Sequence, residues 1–109
     1  MKIKNTALII SERNSFVQTY SELLKKSRFK VFKLPNFKEW KAAPERYHID
    51  LCCIDNPEGT FDYQGLSDFL NNFSPHTIVI NFGKSPPHLP SLNGNLFFAT
   101  SRGQEIELA

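Results

Sequence analysis

The spacing of apolar positions along this chain changes period several times, and each change marks an element. Thr6-Ala7-Leu8-Ile9-Ile10 is a short, partly β-branched run between polar residues, the pattern of a buried strand. From Ser15 the apolar residues Phe16, Val17, Tyr20, Leu23 and Leu24 fall on one face of a helix, with Gln18, Ser21, Glu22, Lys25 and Lys26 on the other. Asn14 or Ser15 is placed to cap that helix, and Ser15 with Gln18 has capping-box spacing. Phe29 to Leu34 is a second, less apolar strand, which places it toward a sheet edge, and Pro35 ends it. Asn36 and Glu39 open a short helix bearing Phe37 and Trp40, stopped before Pro44. Ile49 to Ile54 predicts a third strand, the most apolar stretch of the chain, and it runs straight into Asp55. Gly65 to Phe73 spaces Leu66, Phe69, Leu70 and Phe73 for a helix that Ser74-Pro75 closes. Thr77 to Phe82 and Leu96 to Thr100 complete a set of five strands.

Strands alternating with amphipathic helices predict right-handed βαβ units and a doubly wound, five-stranded parallel sheet covered on both faces. One crossover breaks the pattern. Gly83 to Gly94 carries Pro86, Pro87 and Pro90, so an irregular Pro-rich loop is expected where a helix would join strands four and five. The tail from Gly103 to Ala109 reads as the start of a final helix or as a frayed end, as in a chain cut from a longer signalling protein.

Composition narrows the class. A chain of 109 residues fits one domain, and ten Phe, three Tyr and one Trp supply core material although the apolar fraction is 40%. No apolar run approaches the roughly 20 residues that a membrane-spanning helix needs, and Met1-Lys2-Ile3-Lys4-Asn5 lacks a signal-peptide pattern, so no membrane contact and a cytoplasmic location are expected. The net charge of +2 hides an asymmetry: residues 1–41 hold ten of the thirteen Lys/Arg. Ordinary solvated helix faces account for this, or else Lys25, Lys26, Arg28 and Lys30 steer an acidic partner. No nucleic-acid-binding motif accompanies the basic segment. Cys52 and Cys53 are neighbours on a strand and point to opposite faces, as buried reduced thiols. His48, His76 and His88 have no metal-ligand spacing, which argues against zinc.

Asp55 carries the chemistry. Ligands of open parallel sheets bind beyond the carboxyl ends of the strands, and an acid at that rim is placed for phosphate or metal chemistry. A bland role is capping the next helix or accepting loop N–H bonds.

On these residues the chain resembles the receiver (response-regulator, CheY-like) domains of two-component signalling. Ile10-Ser11-Glu12 stands where that family has an apolar residue and an acidic pair. Asp50-Leu51-Cys52-Cys53-Ile54-Asp55 resembles its strand ending in the phosphoacceptor aspartate, and Ser74-Pro75-His76-Thr77 its lead into strand four. The resemblance implies a flavodoxin-like fold with Asp55 as candidate phosphoacceptor and Glu12, Asp55 and the Pro57 carbonyl as candidate magnesium ligands; no other cofactor is implied. It also implies a protein partner in a phosphorelay: a histidine kinase, a phosphotransfer domain or an adjacent domain.

Several departures stand out. Ser11 replaces one acid, Gly83 stands where a Ser or Thr is expected, with Lys84 and Ser85 beside it, and Thr100-Ser101-Arg102 replaces the Lys-Pro pair. Phe97 or Phe98 occupies the aromatic switch position. Losing a carboxylate and a lysine weakens a phosphoryl site. The leading expectation is therefore a divergent regulatory or interaction domain, not an enzyme, similar to the α/β-loop pseudo-receiver domains of hybrid sensor kinases. One alternative is a working phosphoacceptor using Asp55 with magnesium. Another is a small flavodoxin-like enzyme or cofactor carrier, disfavoured because Ser11-Glu12-Arg13-Asn14-Ser15 has no glycine and carries an acid that repels phosphate.

Overall fold

Four consecutive apolar side chains at the end of the first strand, Ala7 to Ile10, are almost fully buried, which requires packing on both faces of a sheet. The computed structural model describes residues 5–46, 48–84 and 96–99, the last four as backbone. The chain order is β1 (Asn5–Ile10), α1 (Asn14–Lys26), β2 (Phe29–Leu34), α2 (Lys38–Ala42), β3 (Leu51–Asn56), α3 (Tyr63–Phe73), β4 (Ile78–Gly83) and β5 (Leu96–Ala99). All pairings are parallel, in the spatial order β2-β1-β3-β4-β5. The chain thus reverses direction across the sheet between β1 and β3, the arrangement that opens a crevice at the carboxyl ends of those strands.

Each face has its own core. On one side Ala7, Ile9, Leu51, Cys53, Ile80 and Phe82 pack against Phe16, Tyr20 and Leu24 of α1. Phe16 and Tyr20 also meet the Phe82 ring, with centroids 5.4 and 4.7 Å away. On the other side Leu8, Ile10, Cys52, Ile54 and Val79 meet Trp40 from α2 and Tyr63, Leu66, Phe69 and Leu70 from α3. Phe69 stands edge-on to Trp40 and to Phe37, so the short α2 is anchored by its aromatic residues rather than by its length.

Three expectations need correction. Neither Asn14 nor Ser15 caps α1. Arg13 is the N-cap residue and makes no side-chain cap, while the Ser11 hydroxyl, reaching over from the end of β1, accepts the Arg13 N–H at 3.0 Å. Helix α3 starts at Tyr63, two residues before Gly65, because the Asp62 carboxylate accepts the Gly65 N–H at 3.0 Å and caps it. Strand β3 begins at Leu51 rather than Ile49 and extends through Asn56, so Asp55 is the penultimate residue of a paired strand instead of a loop residue after it. The Pro-rich segment from Ser85, the Thr100-Ser101-Arg102 segment, the tail from Gly103 and the side chains of Phe97 and Phe98 lie outside the described residues. Among the described residues, no helix is long and apolar enough to cross a membrane.

Cys52 and Cys53 lie fully buried on opposite faces of β3 and are both free. Burial pushes the Cys53 thiol up to about 12 and raises the Cys52 thiol well above its usual value. Because the thiolate is the reactive form, both should resist a thiol reagent at pH 8 in the folded chain and both should react in denaturant. Stoichiometric labelling of either cysteine at the rate of a free thiol in native buffer would contradict this packing.

Candidate functional site

Register brings the site together. In the parallel β1–β3 pairing Ile10 lies opposite Ile54, so the residues that follow, Ser11 and Asp55, are adjacent at the carboxyl rim. Alternation then turns Asp55 toward the α1 face, the side of Cys53, and Asn56 toward the α2–α3 face.

The Asp55 side chain is only 4% exposed, and its two oxygens receive three donors. The Ser11 hydroxyl donates to Oδ2 at 2.7 Å. Arg13 clamps the carboxylate with both arms of its guanidinium, Nε to Oδ2 at 2.7 Å and a terminal nitrogen to Oδ1 at 2.5 Å. A fork of this kind matches carboxylate geometry and supplies charge-assisted bonds to a group that burial would otherwise penalise. The hydrogen bond to Asp55 raises the Arg13 pKa further, so the cation stays charged at every relevant pH. Arg13 also lies over the Phe16 ring, 5.8 Å from its centroid, which fixes the guanidinium from a second side.

The residues named from sequence share one shallow cleft. Glu12, Asp55 and Pro57 line it together with Ser11, Arg13, Asn36, Phe37 and Phe61. Glu12 is exposed, and the carboxylate nearest the sheet is Asp55 alone. The roles of helix cap and loop acceptor considered for Asp55 are not what it does: its bonds go to Ser11 and Arg13. Arg13 was the residue that sequence reasoning passed over. Its signal was available in principle, since an acid at a buried strand end needs a cation and Arg13 is the basic residue of the β1–α1 loop, on the neighbouring strand.

A second polar cluster shapes the same rim from the α3 side. The Asn81 Oδ1, fully buried, accepts both the Tyr63 hydroxyl at 2.7 Å and the Asn56 side-chain amide at 2.9 Å, and the Asn81 amide donates to the Lys84 carbonyl at 3.0 Å. Burial pushes the Tyr63 phenol well up, which keeps it neutral and donating. Asn56 Oδ1 accepts the Phe61 N–H at 3.1 Å and so fixes the loop after β3. Backbone closes the arrangement, with the Lys84 N–H donating to the Asn56 carbonyl at 3.0 Å.

That close approach explains Gly83. Its φ is +117°, and a Cβ there would run into the Asn56 carbonyl and the Pro57 backbone. The position where a receiver would present a hydroxyl is therefore one that a side chain occupies only under strain.

Two stability outcomes follow. Asn81→Ala strands the buried Tyr63 hydroxyl and leaves the Asn56 amide only the Lys84 carbonyl at 3.4 Å, and should cost about 1–3 kcal/mol in urea unfolding, the range for one unsatisfied buried group. Gly83→Ser should cost about 1–3 kcal/mol through backbone strain. Unchanged urea midpoints would show that the rim is built differently.

No protein-family model matches this sequence, and none of the curated proteins matches it. Solved structures do match. A CheY-like response regulator receiver domain from Methylobacillus flagellatus superposes with a TM-score of 0.68 at 15% identity, covering 93% of this chain and 88% of that one. A response regulator from Thermotoga maritima superposes with a TM-score of 0.66 at 19% identity, covering 92% and 88%. At these identities the likeness is one of fold: the described residues have the flavodoxin-like architecture of receiver domains.

Proposed function

We propose that this domain is a divergent receiver-like module of a two-component phosphorelay that regulates or binds a protein partner without being phosphorylated itself. The observation that carries the reading is the Arg13 clamp on Asp55. A phosphoacceptor needs its aspartate free to attack and a divalent cation beside it to neutralise phosphoryl charge. Here both Asp55 oxygens are engaged by a tethered cation, and the Ser11 hydroxyl stands in place of a second carboxylate. The donor set does not fit magnesium, which prefers near-octahedral oxygen ligands including carboxylates and would have to displace a guanidinium. The clamp neutralises the Asp55 carboxylate as a bound metal cation would in a working receiver. The partner would be a histidine kinase, a phosphotransfer domain or a neighbouring domain, met in the cytoplasm, and no catalysis by the domain itself is part of the reading.

The competing reading, a magnesium-dependent phosphoacceptor, draws on the shared cleft of Glu12, Asp55 and Pro57 and on the solvent-accessible side chain of Arg13, 56% exposed. Beryllofluoride with magnesium, followed by amide NMR, separates the two. The parent chain should give no magnesium-dependent shifts at Ser11, Glu12 and Asp55; saturable shifts there would overturn the clamp reading in favour of phosphorylation. Arg13→Ala should cost about 1–2 kcal/mol of stability, the range for hydrogen bonds to a charged group discounted for solvent at Arg13. It should also loosen the amides of Ser11 and Asp55 to hydrogen exchange.

A further inference from the structure

At the other rim of the sheet, two imidazoles and a carboxylate meet. His48 and Asp50 flank the buried Ile49 just ahead of β3, and His76 lies in the turn between α3 and β4. His76 Nε2 is 3.5 Å from Asp50 Oδ1, and the rings of His48 and His76 stack with centroids 4.9 Å apart and planes 27° apart. One ligand atom from each of the three residues lies within 4.8 Å of the others, the one such grouping of three among the described residues. The expectation that the histidines are scattered fails for these two, because parallel pairing of β3 with β4 joins segments that are remote in sequence.

The backbone beneath the cluster is pinned throughout. The Asp50 N–H donates to the Thr6 carbonyl at 2.8 Å, its Oδ2 accepts the Thr6 N–H at 2.9 Å, and its carbonyl accepts the Ile78 N–H at 3.0 Å. The Thr77 hydroxyl donates to the Ile49 carbonyl at 2.6 Å, which leaves the buried Ser74 hydroxyl to donate to Thr77 at 2.6 Å. Asp50 therefore offers Oδ1 in a fixed orientation, with its other oxygen already bonded. A ligand held in this way is the usual companion of metal coordination.

We propose that His48, Asp50 and His76 bind a zinc ion, with water in the fourth position. Two neutral imidazole nitrogens and one carboxylate oxygen suit a borderline-soft, four-coordinate ion and are poor partners for magnesium or calcium. Tetrahedral coordination needs ligand atoms about 3.3 Å apart, given Zn–N and Zn–O bonds of about 2.0–2.2 Å. The ligand atoms, now within 4.8 Å of one another, would close to that spacing by rotation of the two exposed imidazoles. The ion would clasp the lead-ins of β3 and β4 to each other and, through Asp50 and Thr6, to β1. The clasp does not rest on the phosphorelay reading, since none of its residues touches the Asp55 cleft.

Titration of zinc chloride into the chain, read by imidazole nitrogen NMR and thermal unfolding, tests this. At one equivalent the ring nitrogens of His48 and His76 should shift while those of His88 stay put. The melting temperature should rise and return when EDTA is added. His48→Ala and His76→Ala, both at exposed positions, should each weaken binding by at least about 10–100-fold, the loss that follows removal of even an outer partner of a metal ligand. Glu22→Gln, at an exposed position on α1, should bind zinc as the parent does, and magnesium should shift neither ring. Absence of ring shifts at one equivalent, shifts centred on His88, or parent-like affinity in both histidine variants would overturn the site.

Discussion

The parallel register of β1 against β3 is the constraint from which the rest follows. Ile10 opposite Ile54 is enforced by alternation: a slip of one residue would send Ala7 and Ile9 into the α2–α3 core and Leu8 and Ile10 into the α1 core, each fitted to the other set. Once that register holds, Ser11 must stand beside Asp55, and the loop leading into α1 must pass Arg13 over the carboxylate. The same strand pair helps set the other rim, where the Asp50 N–H donates to the Thr6 carbonyl and the Asp50 carboxylate accepts the Thr6 N–H. Both ends of the sheet are thus furnished by a single pairing.

Burying a carboxylate at 4% exposure is costly, and Arg13, from the adjacent loop, offsets that cost. A tethered guanidinium loses little extra freedom on docking, and stacking on Phe16 restrains it further. Binding an ion would depend on its concentration; the Arg13 clamp does not. The consequence is a rim whose charge is balanced internally, while Asn56, Asn81 and Tyr63 lock the neighbouring strand ends from the α3 side. At the end of β4, Gly83 takes a positive φ at a place where a side chain would run into the Asn56 carbonyl and the Pro57 backbone.

Much of this was legible in the sequence, for reasons of periodicity. Helix α1 and strand β2 announce themselves through their spacing, and the lower apolar content of β2 pointed to the sheet edge where the structure has it, only partly buried. Asp55 stood out because an acid ending an apolar run is rare in a core strand. Arg13 did not, since a side-chain ion pair across two strands leaves no period to detect, and a basic residue in a loop is ordinarily solvated. The start of α1 was misplaced for a related reason: the hydroxyl that fixes it, Ser11, accepts the Arg13 N–H from just beyond the preceding strand and is invisible to a rule about residues at the helix start. Asn56 and Asn81 fall at the ends of apolar strands, where an isolated amide reads as a boundary rather than as half of a buried pair.

The two rims are joined by one segment of chain. Asp50, just ahead of β3, and Asp55, within it, lie about 16 Å apart at 3.3 Å per residue. The backbone between them is held on both sides, by β1 and by β4. A metal clasped at the amino-terminal rim would act on the carboxyl rim mechanically, by restraining the strands whose ends present Ser11 and Asp55. Stiffness passed along paired strands is a route by which this fold could make its two ends depend on each other.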